Sequence, residues 1–181
     1  MATISMPKSK AEKLATKTWE ETGRMMPVDV SKIASIHNIQ VHTEDLEADV
    51  SGMMVTCEDS SVSIVINCNH HANRHRFSIA HELGHYFMHR ALSPVFVDST
   101  KVFFRDARAS EGTNRQEIEA NAFAAELLMP EEEVRKRFPH TFSLMEVEEL
   151  AEEIEKRAKE FGVSTAALSI RLNRLGVLVS P

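Results

Sequence analysis

The sequence predicts an α+β fold in which a small, largely antiparallel sheet packs on a buried helix, with further helices toward the C-terminus. Three short runs between positions 39 and 67 are rich in β-branched residues, as is typical of strands. Apolar residues then recur at helical spacing from Arg74 to Arg90, and amphipathic helical patterns occupy both ends of the chain. Together these patterns predict helices arranged around one small sheet.

The N-terminal part of the chain predicts two helices followed by three strands. Apolar residues at helical spacing between Pro7 and Thr22 predict a first helix, which Gly23 ends. A short second helix is predicted after Pro27, which interrupts the pattern. The predicted strands are Ile39–Thr43, Gly52–Thr56 and Val62–Asn67, and turn-prone residues separate the last two.

The remaining part predicts mainly helices. The central helix, Arg74–Arg90, is apolar on nearly every side, so we expect it to be buried. Residues 91–115 follow no regular pattern, and a connection of this length is usually functional or mobile. A helix is predicted over 114–129, and a short helix begins at Glu131. A third helix follows the capping-box pair Ser143 and Glu146 and ends at Gly162. The last helix is predicted over 163–178, with Ser164 as N-cap.

Composition and charge exclude several classes of protein. The 181 residues include 43% hydrophobic and 27% charged side chains, and 21 basic against 27 acidic residues give a net charge of −6. Such a chain can bury a core, and its acidity argues against sequence-blind attraction to polyphosphate. No stretch reaches the roughly 18 to 20 uncharged apolar residues of a membrane helix, and lysines interrupt the N-terminus where a signal peptide would be apolar. We therefore expect a cytoplasmic protein that does not contact the membrane.

The central helix carries the motif His81-Glu82-Leu83-Gly84-His85. Four residues advance a helix by about 400°, so both imidazoles project from one face, about 6 Å apart along the axis. Neutral imidazoles are good ligands for Zn²⁺, and a catalytic zinc site takes three protein ligands and keeps one position for water. Glu82 lies about 100° round the helix, where it can act as general base on that water. The alternative is a pair of hydrogen-bonded core histidines, but burying these polar groups without an ion would be costly.

A third metal ligand is predicted on a second helix. A histidine ten positions after His81, as in metzincins, is excluded because Ala91 stands there. Glu117 and Asn121 are four residues apart and share one face, so Glu117 could bind the ion while Asn121 hydrogen-bonds a ligand histidine. Glu119 lies about 200° away from Glu117 and should point elsewhere. Without the first motif, this helix would be interpreted as an ordinary packing helix with solvated glutamates.

The two motifs together resemble a known family. The run Arg76–His85 (RFSIAHELGH), followed by Glu117–Pro130 (EIEANAFAAELLMP), is similar to the ImmA/IrrE family of zinc metallopeptidases, and the resemblance covers about Met25 to Leu178. It implies a zincin-like fold with Zn²⁺ held by His81, His85 and Glu117 and with Glu82 as the catalytic glutamate. It also implies an endopeptidase that controls gene expression by cleaving a helix-turn-helix repressor or antitoxin-like protein.

On this basis we predict three parts of the chain. Residues 1–24 form an N-terminal helix packing on the core, residues 25–139 form the zincin-like metallopeptidase core, and residues 140–181 form a C-terminal helical segment. The last segment resembles a helix-turn-helix, because Phe161-Gly162-Val163-Ser164 leads into a helix with Arg171 and Arg174. An alternative function is therefore a DNA-binding or partner-binding regulator in which the metal is structural. The acidic helix before this segment weakens the DNA-binding interpretation.

Substrate binding and supporting groups leave further alternatives open. A peptidase needs an edge strand beside the metal helix to hold an extended peptide. Val62–Asn67 is the best candidate because it directly precedes that helix, and the alternative is a plain core strand. His89 could either support the metal ligands or act as a helix C-terminal cation. Arg105 or His140 could stabilise the developing oxyanion, although either is more often a surface residue.

Overall fold

The computed structural model describes residues 7–99, 107–139 and 147–178. These residues form seven helices and four strands, so the predicted α+β class is confirmed. In chain order the elements are α1 (Lys10–Glu21), α2 (Val30–Ile36), β1 (Ile39–Glu44), β2 (Val50–Thr56), β3 (Val62–Asn67), α3 (Ala72–His89), β4 (Val95–Ser99), α4 (Ala107–Leu128), α5 (Glu131–Arg137), α6 (Val147–Phe161) and α7 (Thr165–Arg174). The capping-box pair Ser143 and Glu146 lies outside the described residues.

Side-chain hydrogen bonds cap the start of four of the described helices, α1, α2, α3 and α7. The Ser9 hydroxyl accepts a hydrogen bond from the Glu12 backbone N–H, and the Glu12 carboxylate accepts one from the Ser9 N–H, so a reciprocal capping box begins α1. Ser164 accepts from the Ala167 N–H at the start of α7, as predicted. These bonds satisfy backbone donors that the first helical turn leaves without partners.

The four strands form one sheet in the order β1-β3-β2-β4. The β2–β3 and β2–β4 pairs are antiparallel, whereas β1 runs parallel to β3. The prediction of a largely antiparallel sheet is therefore confirmed. The prediction that Val62–Asn67 is an edge strand is wrong, because β3 has a neighbour on each side. Proximity in sequence to the metal helix did not indicate lateral position in the sheet, which depends on long-range pairing.

The segment after α3 is more regular than its sequence predicts. Residues 95–99 form β4 on the edge of the sheet, and α4 already begins at Ala107 rather than near residue 114. The strand has only five residues and follows Pro94, so its pattern is too short to distinguish from a loop. Pairing with β2 supplies the backbone hydrogen bonds that stabilise it.

The core lies on both sides of α3. This helix packs against β2 and β3 on one side and against α4 on the other, while α1 covers α4. Leu83 of α3, Phe123 of α4, and Ile64 and Ile66 of β3 are almost completely buried in the shared core. Burying apolar side chains from each layer supplies the main driving force for this arrangement. None of the described helices is both long and apolar enough to cross a lipid bilayer.

A buried ion pair anchors α7 to the rest of the chain. The guanidinium of Arg171 pairs with the carboxylate of Glu126 on α4, and both side chains are 1% exposed. Glu126 also accepts from Lys8 Nζ at 2.6 Å and from Thr16 Oγ1 at 2.9 Å. Removing two opposite charges from water is tolerated only when each is paired and hydrogen-bonded, as here. The pair therefore joins α7 to α4 inside the protein.

Candidate metal centre

His81 and His85 lie on the buried face of α3, one helical turn apart. Their Nε2 atoms are 3.0 Å from each other, and each side chain is 1% exposed. The four-residue spacing and the buried position of the helix produce this convergence directly. Two imidazole nitrogens that face each other at this distance form one half of a metal-binding group.

Glu117 reaches the same point from α4. Its two carboxylate oxygens lie 3.1 Å from His81 Nε2 and 3.2 Å from His85 Nε2. Ligand atoms about 2.1 Å from one tetrahedral zinc ion are separated by about 3.4 Å, so the donor set and its spacing fit a single divalent ion. Among the described residues, these three form the one group of His, Cys, Asp and Glu side chains arranged to hold a metal.

Close contact between α3 and α4 makes this geometry possible. A Cβ atom on Gly84 would lie 3.1 Å from the Cα of Ala120 and 3.3 Å from its carbonyl oxygen. A side chain at position 84 would therefore hold the two backbones apart. The glycine between the two histidines, opposite an alanine on α4, lets Glu117 reach the imidazoles.

The electrostatics of the three ligands are strongly coupled. Burial would raise the pKa of Glu117, but hydrogen bonds from His81 and His85 lower it to about 2. Burial would lower the pKa of His81, but its hydrogen bond to Glu117 and the nearby carboxylates of Glu82 and Asp98 raise it to about 9. Burial lowers the pKa of His85 below its ordinary value. An ion that binds here displaces a proton from His81, so binding competes with protonation.

Glu82 is buried beside the ligands. Its side chain is 0% exposed, and neither carboxylate oxygen has a hydrogen-bond partner among the described residues. Burial, with the neighbouring carboxylates of Asp98 and Glu117, raises the pKa of Glu82 to about 8. Burying a carboxyl group without a partner is unfavourable, and such perturbed groups concentrate at functional sites. A cation and a water molecule at the ligand group would supply the interactions that this carboxyl group lacks.

The sequence around this site matches a known family and two related proteins. The family profile described as the IrrE N-terminal-like domain, a peptidase family, matches residues 34–173. The chain belongs to this family. It is 24% identical over 148 residues to Metallopeptidase ImmA of Bacillus subtilis (strain 168), covering 82% of this chain and 77% of that protein. It is also 32% identical over 100 residues to Uncharacterized immunity region protein 2 of Bacillus phage phi105, covering 55% of this chain and 58% of that protein.

Membership of the IrrE-like peptidase family and the similarity to a metallopeptidase imply a metal ion. His81, His85 and Glu117 are able to hold it. The matched region includes the whole of β1 to α6 and therefore all the residues of the candidate metal centre. The family assignment and the geometry thus indicate the same location in the chain.

Further side chains contact the ligands of this IrrE-like centre. Asn121 Oδ1 lies 3.1 Å from His81 Nδ1, in the contact that the four-residue spacing from Glu117 predicts. Glu119 points away from Glu117 and instead lies 3.0 Å from His89 Nε2. His89 in turn lies 3.2 Å from His85 Nδ1. The eight-residue spacing places His89 about 80° from His81 around α3, and no pattern in the sequence connects His89 with Glu119 on α4.

A cleft of about 890 Å³ opens beside the centre. Ser78 of α3, Asn121 of α4 and Asp98 of β4 line one part of it, and residues of α6 and α7 line another. Asn121 connects the cleft to the centre through its contact with His81. Arg105 and His140, considered above as oxyanion-stabilising residues, lie outside the described residues.

Proposed function

We propose that the protein is a zinc-dependent endopeptidase whose zinc ligands are His81, His85 and Glu117 and whose general base is Glu82. The observation that carries the proposal is the fully buried carboxyl group of Glu82, which has no hydrogen-bond partner among the described residues and lies next to three convergent ligand atoms. A structural zinc site has no use for such a group, since it fills its fourth position with a protein ligand. The donor set of two imidazoles and one carboxylate is typical of catalytic zinc in peptidases.

Each residue of the site has a separate role in the proposed reaction. Zinc held by His81, His85 and Glu117 would supply Lewis acidity, which would polarise a peptide carbonyl and lower the pKa of water. Glu82 accepts the proton of the attacking water and passes it to the amine that leaves when the peptide bond breaks. Asn121 holds the His81 ring by its Nδ1 atom and leaves Nε2 directed at the site. Phe96 stacks on the His85 ring, with centroids 4.6 Å apart, and shields the site from bulk water.

Among the described residues β4 is an edge strand of the sheet, and its outer edge is suited to bind the substrate backbone. The backbone N–H of Thr56 donates to the carbonyl oxygen of Pro94 at 2.7 Å. In an antiparallel pair, hydrogen-bonded positions alternate with positions whose backbone groups point outward. The N–H and C=O groups of Val95 and Val97 therefore face away from β2. The hydroxyl group of Ser93 hydrogen-bonds both outward backbone groups of Val95, because Oγ accepts from the N–H and donates to the carbonyl oxygen. Val97 is then the described residue of β4 whose N–H and C=O are available to an extended peptide.

The substrate class is also part of this proposal. We propose that the substrate is a helix-turn-helix repressor or antitoxin-like protein and that its cleavage in the cytoplasm controls gene expression. The resemblance in both sequence motifs supports this assignment, as does the similarity to a phage immunity region protein. An extended segment of such a protein would lie along β4 and place neighbouring side chains in the cleft between α3, α6 and α7.

The decisive experiment compares the wild-type protein with the Glu82→Gln variant. Each is incubated, with zinc or with chelator, together with a purified helix-turn-helix protein chosen as candidate substrate from the genes around this one, and fragments are identified by mass spectrometry. We expect fragments only for the wild type with zinc, while Glu82→Gln still binds one zinc by elemental analysis. Cleavage by Glu82→Gln at the wild-type rate would show that Glu82 is not the base. Glu117→Ala should lose most of the bound zinc.

The alternative of a DNA-binding regulator has less support. Arg171, one of the two arginines expected to face DNA, is buried against Glu126, and Arg174 Nη2 lies 3.5 Å from Glu12 Oε1. Phosphate contacts require free cationic side chains. A gel-shift assay at two salt concentrations tests the alternative, which predicts sequence-specific binding that survives removal of zinc.

A further inference from the structure

We propose that His89 and Glu119 form a hydrogen-bonded relay that positions His85 as a metal ligand. The inference rests on the metal site of the proposed function but assigns a role to two residues outside the ligand set. Both act through His85 and are positioning residues. Neither is one of the proposed metal ligands, and each comes from a different helix.

The relay is continuous from the metal centre to the protein surface. His85 Nε2 faces Glu117 at 3.2 Å, and on the other side of the ring His85 Nδ1 lies 3.2 Å from His89 Nδ1. His89 Nε2 lies 3.0 Å from Glu119 Oε2, and Glu119 Oε1 accepts from Arg115 Nε at 3.1 Å. His89 is 3% exposed, so its two ring nitrogens have these protein groups as partners within the buried site.

Only one arrangement of protons satisfies every contact when His85 binds a metal. A ligand imidazole is neutral and uses the lone pair of Nε2, so Nδ1 of His85 carries the proton. That N–H must donate to His89 Nδ1, which leaves the proton of a neutral His89 ring on Nε2. His89 Nε2–H then donates to the Glu119 carboxylate. The directed chain therefore maintains the His85 tautomer that has a free Nε2.

The two ligand histidines are held by different groups. His81 relies on the side-chain oxygen of Asn121, whereas His85 relies on an imidazole that is itself oriented by a carboxylate. A carboxylate at the end of such a chain raises the basicity of the ligand imidazole, and loss of partners of this type commonly lowers metal affinity by about 10- to 100-fold. The relay should therefore contribute to zinc affinity independently of Asn121.

The test measures zinc affinity rather than peptidase activity. Zinc dissociation constants are obtained by competition with a fluorescent chelator, and the absorption spectrum of the cobalt-substituted protein reports ligand geometry. We expect His89→Phe, which keeps a ring but removes the acceptor, to weaken zinc binding by about 10- to 100-fold and to change the cobalt spectrum. His89→Gln keeps an acceptor oxygen and should restore part of the affinity. Ile118→Ala, an exposed position beside Glu119, is the matched control and should bind zinc like the wild type.

Glu119→Ala provides a second variant in case His89→Phe does not fold. Glu119 is partly exposed, so its replacement should leave the fold intact and still weaken zinc binding. Wild-type affinity in both Glu119→Ala and a folded His89→Phe would overturn the relay and leave the proposed function standing. Two zinc ions per wild-type chain, with one lost in His89→Phe, would also overturn it, because His89 would then be a ligand. A wild-type protein that binds no zinc would overturn the proposed function and the relay together.

Discussion

Gly84 of α3 and Ala120 of α4 meet where the two helices cross, and a Cβ atom added to Gly84 would lie 3.1 Å from the Cα of Ala120. The contact joins the helix that carries both histidines to the helix that carries Glu117. Because backbone atoms cannot rotate away as a side chain can, any added volume must separate the helices. Helix spacing and metal geometry are therefore linked through one residue.

Gly84→Ala should weaken both folding and metal binding. Alanine favours the helix by up to about 1 kcal/mol relative to glycine, but overpacking against backbone costs about 1 to 3 kcal/mol, so we expect a net loss. Urea unfolding measures this loss, and chelator competition should show weaker zinc binding as Glu117 moves away from the histidines. Gly176→Ala is the control, because Gly176 has φ +62° but nothing within 4 Å. It should lose stability and retain zinc affinity, and equal zinc affinity in both variants would contradict the linkage.

Above the ordinary pKa of histidine, the stability of the metal-free protein should fall as pH rises, because the lowered pKa values of Glu117 and His85 act in the opposite direction only at lower pH. Burial raises the pKa of Glu82 from its ordinary 4.5 to about 8, so between these values the folded state holds a proton that the unfolded state has released. The contribution of Glu82 to stability then decreases with pH across this interval. The pKa of His81, raised from 6.5 to about 9, acts in the same direction at higher pH. Urea unfolding in the presence of a chelator measures the unfolding free energy at each pH. This free energy should decline less with pH for Glu82→Gln than for the wild type. Parallel plots of free energy against pH for the two proteins would rule out a raised Glu82 pKa.

Arg171→Met should destabilise the protein strongly. Removing one partner of a buried ion pair costs about 3 to 5 kcal/mol, although Lys8 and Thr16 still contact Glu126. Arg174→Ala is the control, since an exposed ion pair contributes about 1 kcal/mol or less. Urea unfolding of both variants measures the difference. If Arg171 instead served DNA binding, its replacement would leave the unfolding midpoint unchanged.

Val97→Pro should reduce cleavage of the partner protein without changing zinc affinity. Proline removes the outward N–H of β4, and loss of one hydrogen bond to the substrate corresponds to a roughly 3- to 10-fold lower kcat/KM. Val97→Ala keeps the backbone N–H and should cleave at nearly the wild-type rate. Equal cleavage by the two variants would mean that the substrate does not pair with this edge.

Relationships within a single helix could be predicted from the sequence. The spacing of His81 and His85 placed both rings on one face, and the spacing of Glu117 and Asn121 did the same on α4. The structure brings Glu117 to the two imidazoles and Asn121 to His81. Most element positions were also predictable, including the start of α7 at Ser164.

The tertiary structure alone decided how the elements lie side by side. In the structure β3 is an interior strand and β4 is an edge strand. His89 contacts Glu119, and Arg171 is buried against Glu126. Periodicity in a sequence reports which side chains share a face, because helix and strand geometry is local. Which faces and edges then meet depends on packing between segments distant in the chain, and no local pattern encodes that choice.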